Sequence, residues 1–240
     1  MRTWVHFIPI ITTLVALGFG VVLYRHWRVK GGMHLLWWMV GVFAYGAGTL
    51  TESATTLLGW DPVVFKAWYI TGALLGGAPL AQGTAYLLLR RKTADRLTLA
   101  LVTVVLVASA CVILSPINYG LVEPHRLTGK VMGWPWVRAF SPFINTYAAT
   151  FLIGGAALSA WRFARKAATR HRFVGNALIA VGALLPGIGG MATRFGHTEV
   201  LYVTELAGLL LILTGYRVIA RGGRQAGFAG GSRMPEVVLS

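Results

Sequence analysis

RLTLALVTVVLVASACVILS, residues 96–115, carries no charge after Arg96, and its leucine, valine, alanine and isoleucine residues fall on every face of a helix. A helix buried at one side only would alternate with polar residues at the helical period. Twenty residues at about 1.5 Å each make a rod of about 30 Å, the thickness of a bilayer's hydrocarbon core. Six further apolar runs have comparable length, at about 4–25, 33–58, 62–89, 142–163, 173–194 and 199–220. Helices are the expected form, because an open strand in lipid leaves backbone groups without partners. The expected fold class is an all-α integral membrane protein, a seven-transmembrane helix bundle over residues 1–221.

Composition agrees. The 240 residues are 56% hydrophobic and only 12% charged, where a soluble domain carries about 25% charge. The mean hydropathy is +0.65. Breaks fall where helix ends need them. Gly31-Gly32 divides the first two runs, and Gly59-Trp60-Asp61-Pro62 turns the chain into the third, with Pro62 suited to a first helical turn. The longest connection, about 116–141, joins the fourth and fifth. The first run is too long for a signal-peptide core and reads as a retained helix. The glycine-rich stretch 222–240 is expected to be a disordered cytoplasmic tail without a second domain.

Charge placement gives an orientation. The connections after runs one, three, five and seven hold 3, 4, 5 and 4 lysines and arginines, 16 of the chain's 22. The other side holds Arg2, Lys66, Arg126, Lys130, Arg138 and Arg194. Basic residues concentrate on the cytoplasmic side, so the N-terminus is expected outside and the C-terminus in the cytoplasm. The same placement argues against nucleic acid as a partner despite a net charge of +15. Trp4, Trp27, Trp60 and Trp161 fall near run ends, as interfacial anchors do. Trp134 and Trp136 flank Pro135 in the long connection, which is expected to lie against the headgroups.

Two of the seven acidic residues, Glu52 and Glu205, fall inside expected spans, where an ionisable side chain is costly and marks function by default. Each lies six residues from its run's outer end, a depth of about 9 Å. Trp68, Tyr69, Tyr147 and Tyr202 lie at similar depth, with Asn145 slightly above. Tyr45, Gly48 and Glu52 share one helix face, as do Tyr202 and Glu205. Converging, these faces would make an outward-facing polar pocket with aromatic walls. The competing reading is two protonated carboxyls that only fix helix packing. Lys66 has Asp61 or Glu199 as partners, or the interface. Deeper lie Gln82 and Asn176, with Pro79 and Pro186 expected to kink the third and sixth helices.

Other chemistries lack their residues. The seventh run holds no lysine for a retinal Schiff base. His6, His26, His34, His125, His171 and His197 are scattered, Cys111 is the sole cysteine, and no spacing suits a metal or haem. No phosphate loop is present. The expectation is no metal, no cofactor and no catalytic residue.

Trp38, Gly46 and Glu52, then Lys66, Trp68, Gly72 and Pro79, fall in a recurring order. The second half adds Arg170-His171-Arg172, Gly182 to Pro186, Gly208 and Gly215-Tyr216-Arg217. In this pattern, over about residues 10–220, the chain resembles the seven-helix N-terminal membrane region of bacterial sensor histidine kinases. The resemblance implies a sensory module in the bacterial cytoplasmic membrane. It does not imply kinase activity, since no phospho-acceptor helix or ATP-binding region follows Arg221. The expected function is a membrane sensor or ligand-binding module. It would take a small amphipathic or lipid ligand near Glu52 and Glu205 and signal to a separate cytoplasmic partner or membrane subunit. The alternatives are a membrane-embedded enzyme acting on a lipid-like substrate, or a structural subunit of a membrane complex.

Overall fold

The computed structural model describes residues 4–124, 126–164 and 169–231. Arg2, His125, Arg165, Lys166 and the last part of the expected tail, 232–240, lie outside the described residues. Seven helices are long and apolar enough to cross a membrane. We label them α1 (Trp4–Lys30), α2 (Met33–Leu58), α3 (Pro62–Leu88), α4 (Arg91–Leu114), α5 (Pro135–Phe163), α6 (Arg170–Thr193) and α7 (Thr198–Gly222). No strand occurs among the described residues. The chain is a multi-pass membrane protein with an all-helical bundle fold, and every expected run is one of these helices. Helical backbone continues from α7 to Gly231.

Apolar side chains left on the outside match that fold. Leu99, Leu106 and Ile113 form an exposed stripe along α4, and Ile11, Leu14, Leu17 and Val21 are exposed on α1. Lipid covers such surface at no hydrophobic cost.

Packing inside depends on small residues. Along α6 the glycines 175, 182 and 189 recur every seven residues, and along α7 the glycines 208, 215 and 222 do the same. The helices run antiparallel with these rows face to face. A methyl group added at Gly208 would lie 2.5 Å from the Gly182 carbonyl oxygen, and one at Gly215 would lie 2.5 Å from the Gly175 oxygen. A seven-residue period keeps one seam facing a partner along its length, and glycine lets backbones touch where lipid gives no hydrophobic drive. Pro186 strengthens the seam. It lacks the N–H that would bond the Gly182 carbonyl, and that carbonyl is the one facing Gly208. Helix α6 runs through Pro186 without interruption.

Helix α3 is interrupted. Its first part, Pro62–Trp68, continues as a π-helical turn, Tyr69–Leu74, and stops; a second part, Ala78–Leu88, starts afresh. The break lies at Gly76-Gly77, ahead of Pro79. Pro79 therefore sits in a first helical turn, where its missing N–H loses no bond, instead of kinking a helix interior as expected. Asp61 caps the first part, its Oδ1 accepting from the backbone N–H of Val63 at 2.8 Å and of Val64 at 3.0 Å. Helix α5 also contains a π-helical turn, Ala149–Gly154.

The long connection is more than a surface loop. Val131, Met132 and Val137 are buried against Phe65, Tyr69, Leu74, Leu101 and Val112 of α3 and α4. Its backbone closes on itself, with Gly133 N–H donating to Pro116 O at 2.7 Å and Asn118 N–H to Val131 O at 2.8 Å. Lys66 is not paired with Asp61 or Glu199; its Nζ donates to the Ile113 carbonyl at 2.6 Å. That closes the C-terminal turn of α4, where a cation is favoured. Trp134 and Trp136 stack at 6.0 Å.

Gly182→Leu should lower the detergent melting temperature by several degrees, since overpacking a close contact costs about 1–3 kcal/mol. Gly187→Ala, on the same helix, meets no atom within 4 Å and should melt like the parent.

Candidate functional site

Glycine contacts bring α2 and α3 together near Glu52. A methyl on Gly48 would sit 3.2 Å from the Cα of Gly72. At this close approach the indole N–H of Trp68 donates to Glu52 Oε1 at 3.0 Å. Helix α7 joins from the other side, where the Tyr45 hydroxyl donates to the backbone carbonyl of Glu205 at 3.0 Å. The faces expected to converge therefore do so. Glu52 is only 4% exposed. The Glu205 side chain lines the same cavity, and among the described residues no donor reaches the buried Oε2 atom of either carboxyl.

The pair stands on the wall of a cavity of about 450 Å³ enclosed by α2, α3, α5, α6 and α7. Tyr45, Trp68 and Asn145 line it with them, and Leu80, Leu152, Ile153 and Ile212 supply apolar wall. The interrupted α3 presents Gly76 and Gly77 to the same space. Ser141 Oγ and Asn145 Nδ2 both donate to the Ala73 carbonyl, at 3.1 and 3.2 Å, so backbone that the break leaves without a helical partner is satisfied from α5. Of the lining residues, Asn145 and Ala149 of α5 and Gly187 and Met191 of α6 are exposed. The cavity thus opens sideways between these helices.

Two expected lining residues lie elsewhere. Tyr69 is buried against Phe65 and the 116–139 connection. Successive helical residues point about 100° apart, and here Trp68 lines the cavity while Tyr69 packs on the far side of its helix. Tyr202 faces a second cavity of about 370 Å³, with His6, Glu123, Arg126 and Glu199, and His6 packs edge-on to its ring. It stands between that cavity and the carboxyl pair. Ser141, Thr49, Gly77 and Met191 were not foreseen as lining. Their one signal in the sequence was Gly76-Gly77 interrupting an apolar run.

The deeper polar layer holds half of what was expected. Gln82, fully buried, donates from Nε2 to the Ala94 carbonyl at 3.0 Å and to Thr98 Oγ1 at 2.8 Å, and accepts from the Tyr147 hydroxyl. Thr98 continues to Tyr86, which donates to Asp95 at 2.7 Å. Asn176 stays on its own helix, donating to the Arg172 carbonyl. Among the described residues no group of three or more His, Cys, Asp or Glu side chains could hold a metal ion.

No family model matches the chain, and neither a curated protein nor a solved structure does.

Trp68→Phe and Glu52→Leu should each weaken the bundle by about 1 kcal/mol, the scale of a side-chain hydrogen bond between membrane helices. The double variant should fall short of their sum, because both remove one interaction. Reversible unfolding in mixed detergent reads this cycle; strictly additive losses would mean that the Trp68–Glu52 bond contributes nothing.

Proposed function

We propose that this protein is a ligand-binding membrane module, in which a small amphipathic molecule enters from the lipid between α5 and α6 and is held beside Glu52 and Glu205. The observation that carries this reading is the side-opening cavity of about 450 Å³ with the buried Glu52 and the half-buried Glu205 on its wall. Small-molecule sites are typically about 300–1,000 Å³, mostly apolar, with a few convergent polar groups. A packing role alone would explain two carboxyls but leaves the space beside them without a purpose.

Sensing is the accompanying proposal. A ligand that fills the cavity touches the interrupted α3 and the α6–α7 seam together. A shift of α3 at Gly76-Gly77 would carry to Gln82 and its bonded chain, Thr98, Tyr86 and Asp95, near the arginine-rich end. The resemblance to sensor-kinase membrane regions fits such a relay, with a separate cytoplasmic partner or membrane subunit receiving it. The placement of basic residues supports an N-terminus outside, a C-terminus in the cytoplasm and residence in the bacterial cytoplasmic membrane. A lipid-directed enzyme is the weaker alternative, since the cavity wall offers no activated nucleophile beside the carboxyls.

Native mass spectrometry of protein extracted in mild detergent should show a bound small molecule or lipid. Gly187→Trp, which plugs the side opening at a position with room for a side chain, should remove it. Equal occupancy of parent and variant would sink the ligand reading. Orientation has its own check in a Cys111→Ser background. Lys130→Cys should react with an impermeant maleimide on intact cells, and Lys92→Cys only after lysis; the reverse pattern would invert the topology.

A further inference from the structure

The carboxyl pair specifies the charge of what the cavity holds. Both Oε2 atoms lack a donor, and Glu52 is held with Oε1 on the Trp68 indole, so the open valence points at Glu205 and the cavity. The cavity wall includes no lysine, arginine or histidine. Two facing carboxylates in a water-poor site are not sustained as a double negative charge. Something positive has to stand between or beside them, and no such side chain lines the cavity among the described residues.

A proton meets that need when no ligand is present. It lowers the pair's charge to minus one and makes the missing hydrogen bond between the carboxyls. A divalent cation fits poorly, because it wants about six oxygen ligands or more and Leu80, Leu152, Ile153 and Ile212 make much of the wall apolar. A primary ammonium fits well. It carries three donors, enough for both Oε2 atoms, and the aromatic residues Trp68 and Tyr45 line the same cavity. The apolar wall and the opening toward lipid suit a hydrocarbon or aryl body behind the charge.

We propose that the cavity is a site for amphipathic primary amines, with the ammonium seated between Glu52 and Glu205, and that each amine bound releases one proton from the pair. This rests on the ligand-binding reading and adds to it the ligand's charge and a proton linkage. The charge balances: the pair with one proton carries minus one, and so does the fully ionised pair with one ammonium. No bond is made or broken except the O–H whose proton leaves to solvent. The groups that face the pair are few. Tyr45 comes from α2, engaged with the Glu205 carbonyl, and Tyr202 from α7. Outside Tyr202 stand Glu199 on α7, His6 on α1 and, from the long connection, Glu123 and Arg126, the last donating from Nη2 to the carbonyl of the lining residue Thr193 at 2.7 Å. Helix α3 brings the Trp68 indole, and α5 and α6 bring no titratable side chain to the cavity wall.

The test is calorimetry on the full chain in detergent with 4-phenylbutylamine, its neutral analogue 4-phenylbutan-1-ol and the anion 4-phenylbutyrate. The amine should bind at least about tenfold tighter than the alcohol, a 1.4 kcal/mol difference, and the carboxylate should bind weakest. Titrations in buffers of different ionisation heat should show one proton released per amine. Amine affinity should therefore rise about tenfold per pH unit while the pair holds its proton. Glu205→Gln should cost the amine at least about tenfold and abolish proton release. Infrared spectra give a reading independent of variant folding: a protonated-carboxyl band that the amine removes. Equal binding of amine and alcohol, preference for the carboxylate, or amine binding without proton release would each overturn the proposal. If amine binding fails while Gly187→Trp still strips a bound molecule, only the cation assignment falls. If the plug also changes nothing, the ligand reading falls with it.

Discussion

Direct backbone contact between α6 and α7 is the constraint on which the rest of the bundle depends. Water is absent from a bilayer's interior, so hydrophobicity cannot press helices together there; close packing and hydrogen bonds must. The heptad glycines 175, 182 and 189 meet 215, 208 and the 201–204 turn in antiparallel register. This seam fixes the rotation of α7, and with it the direction of Glu205. A rotation of one residue, about 100°, would turn that carboxyl out of the cavity.

From this seam the site follows in steps. With α7 fixed, Tyr45 reaches the Glu205 backbone and ties α2 to it. Gly48 against Gly72 then ties α3 to α2 and sets Trp68 on Glu52. The break at Gly76-Gly77 keeps α3 from filling the space between α2 and α5. Backbone freed by the break is bonded from Ser141 and Asn145, which is how irregular backbone is tolerated at membrane depth. The cavity is thus bounded by glycine contacts on two sides and an interrupted helix on a third. Polar groups are concentrated there because helices held this closely can share them.

Both buried carboxyls were legible in the sequence, since few ionisable residues occur inside the spans and each stands out against apolar neighbours. Their partner Trp68 was legible from depth alone. Tyr69 was misplaced because depth says nothing about rotation, and the π-helical turn starting there alters the phase that counting by 3.6 assumes. The glycine heptads stood in the sequence as well. In a chain with 30 glycines they are hard to see until two rows are found facing each other.

The sequence by itself determined the seven helices, their lengths and their breaks, because each is a local matter of hydropathy and of glycine or proline in the backbone. It also determined which ionisable groups must be buried, for any fold that places those runs in lipid. Only the tertiary structure decided that Glu52 and Glu205 share one cavity, that Trp68 and not Tyr69 faces it, and that it opens between α5 and α6. Those facts depend on the rotation and neighbour of each helix. Helices that are apolar all round carry no amphipathic face to announce either.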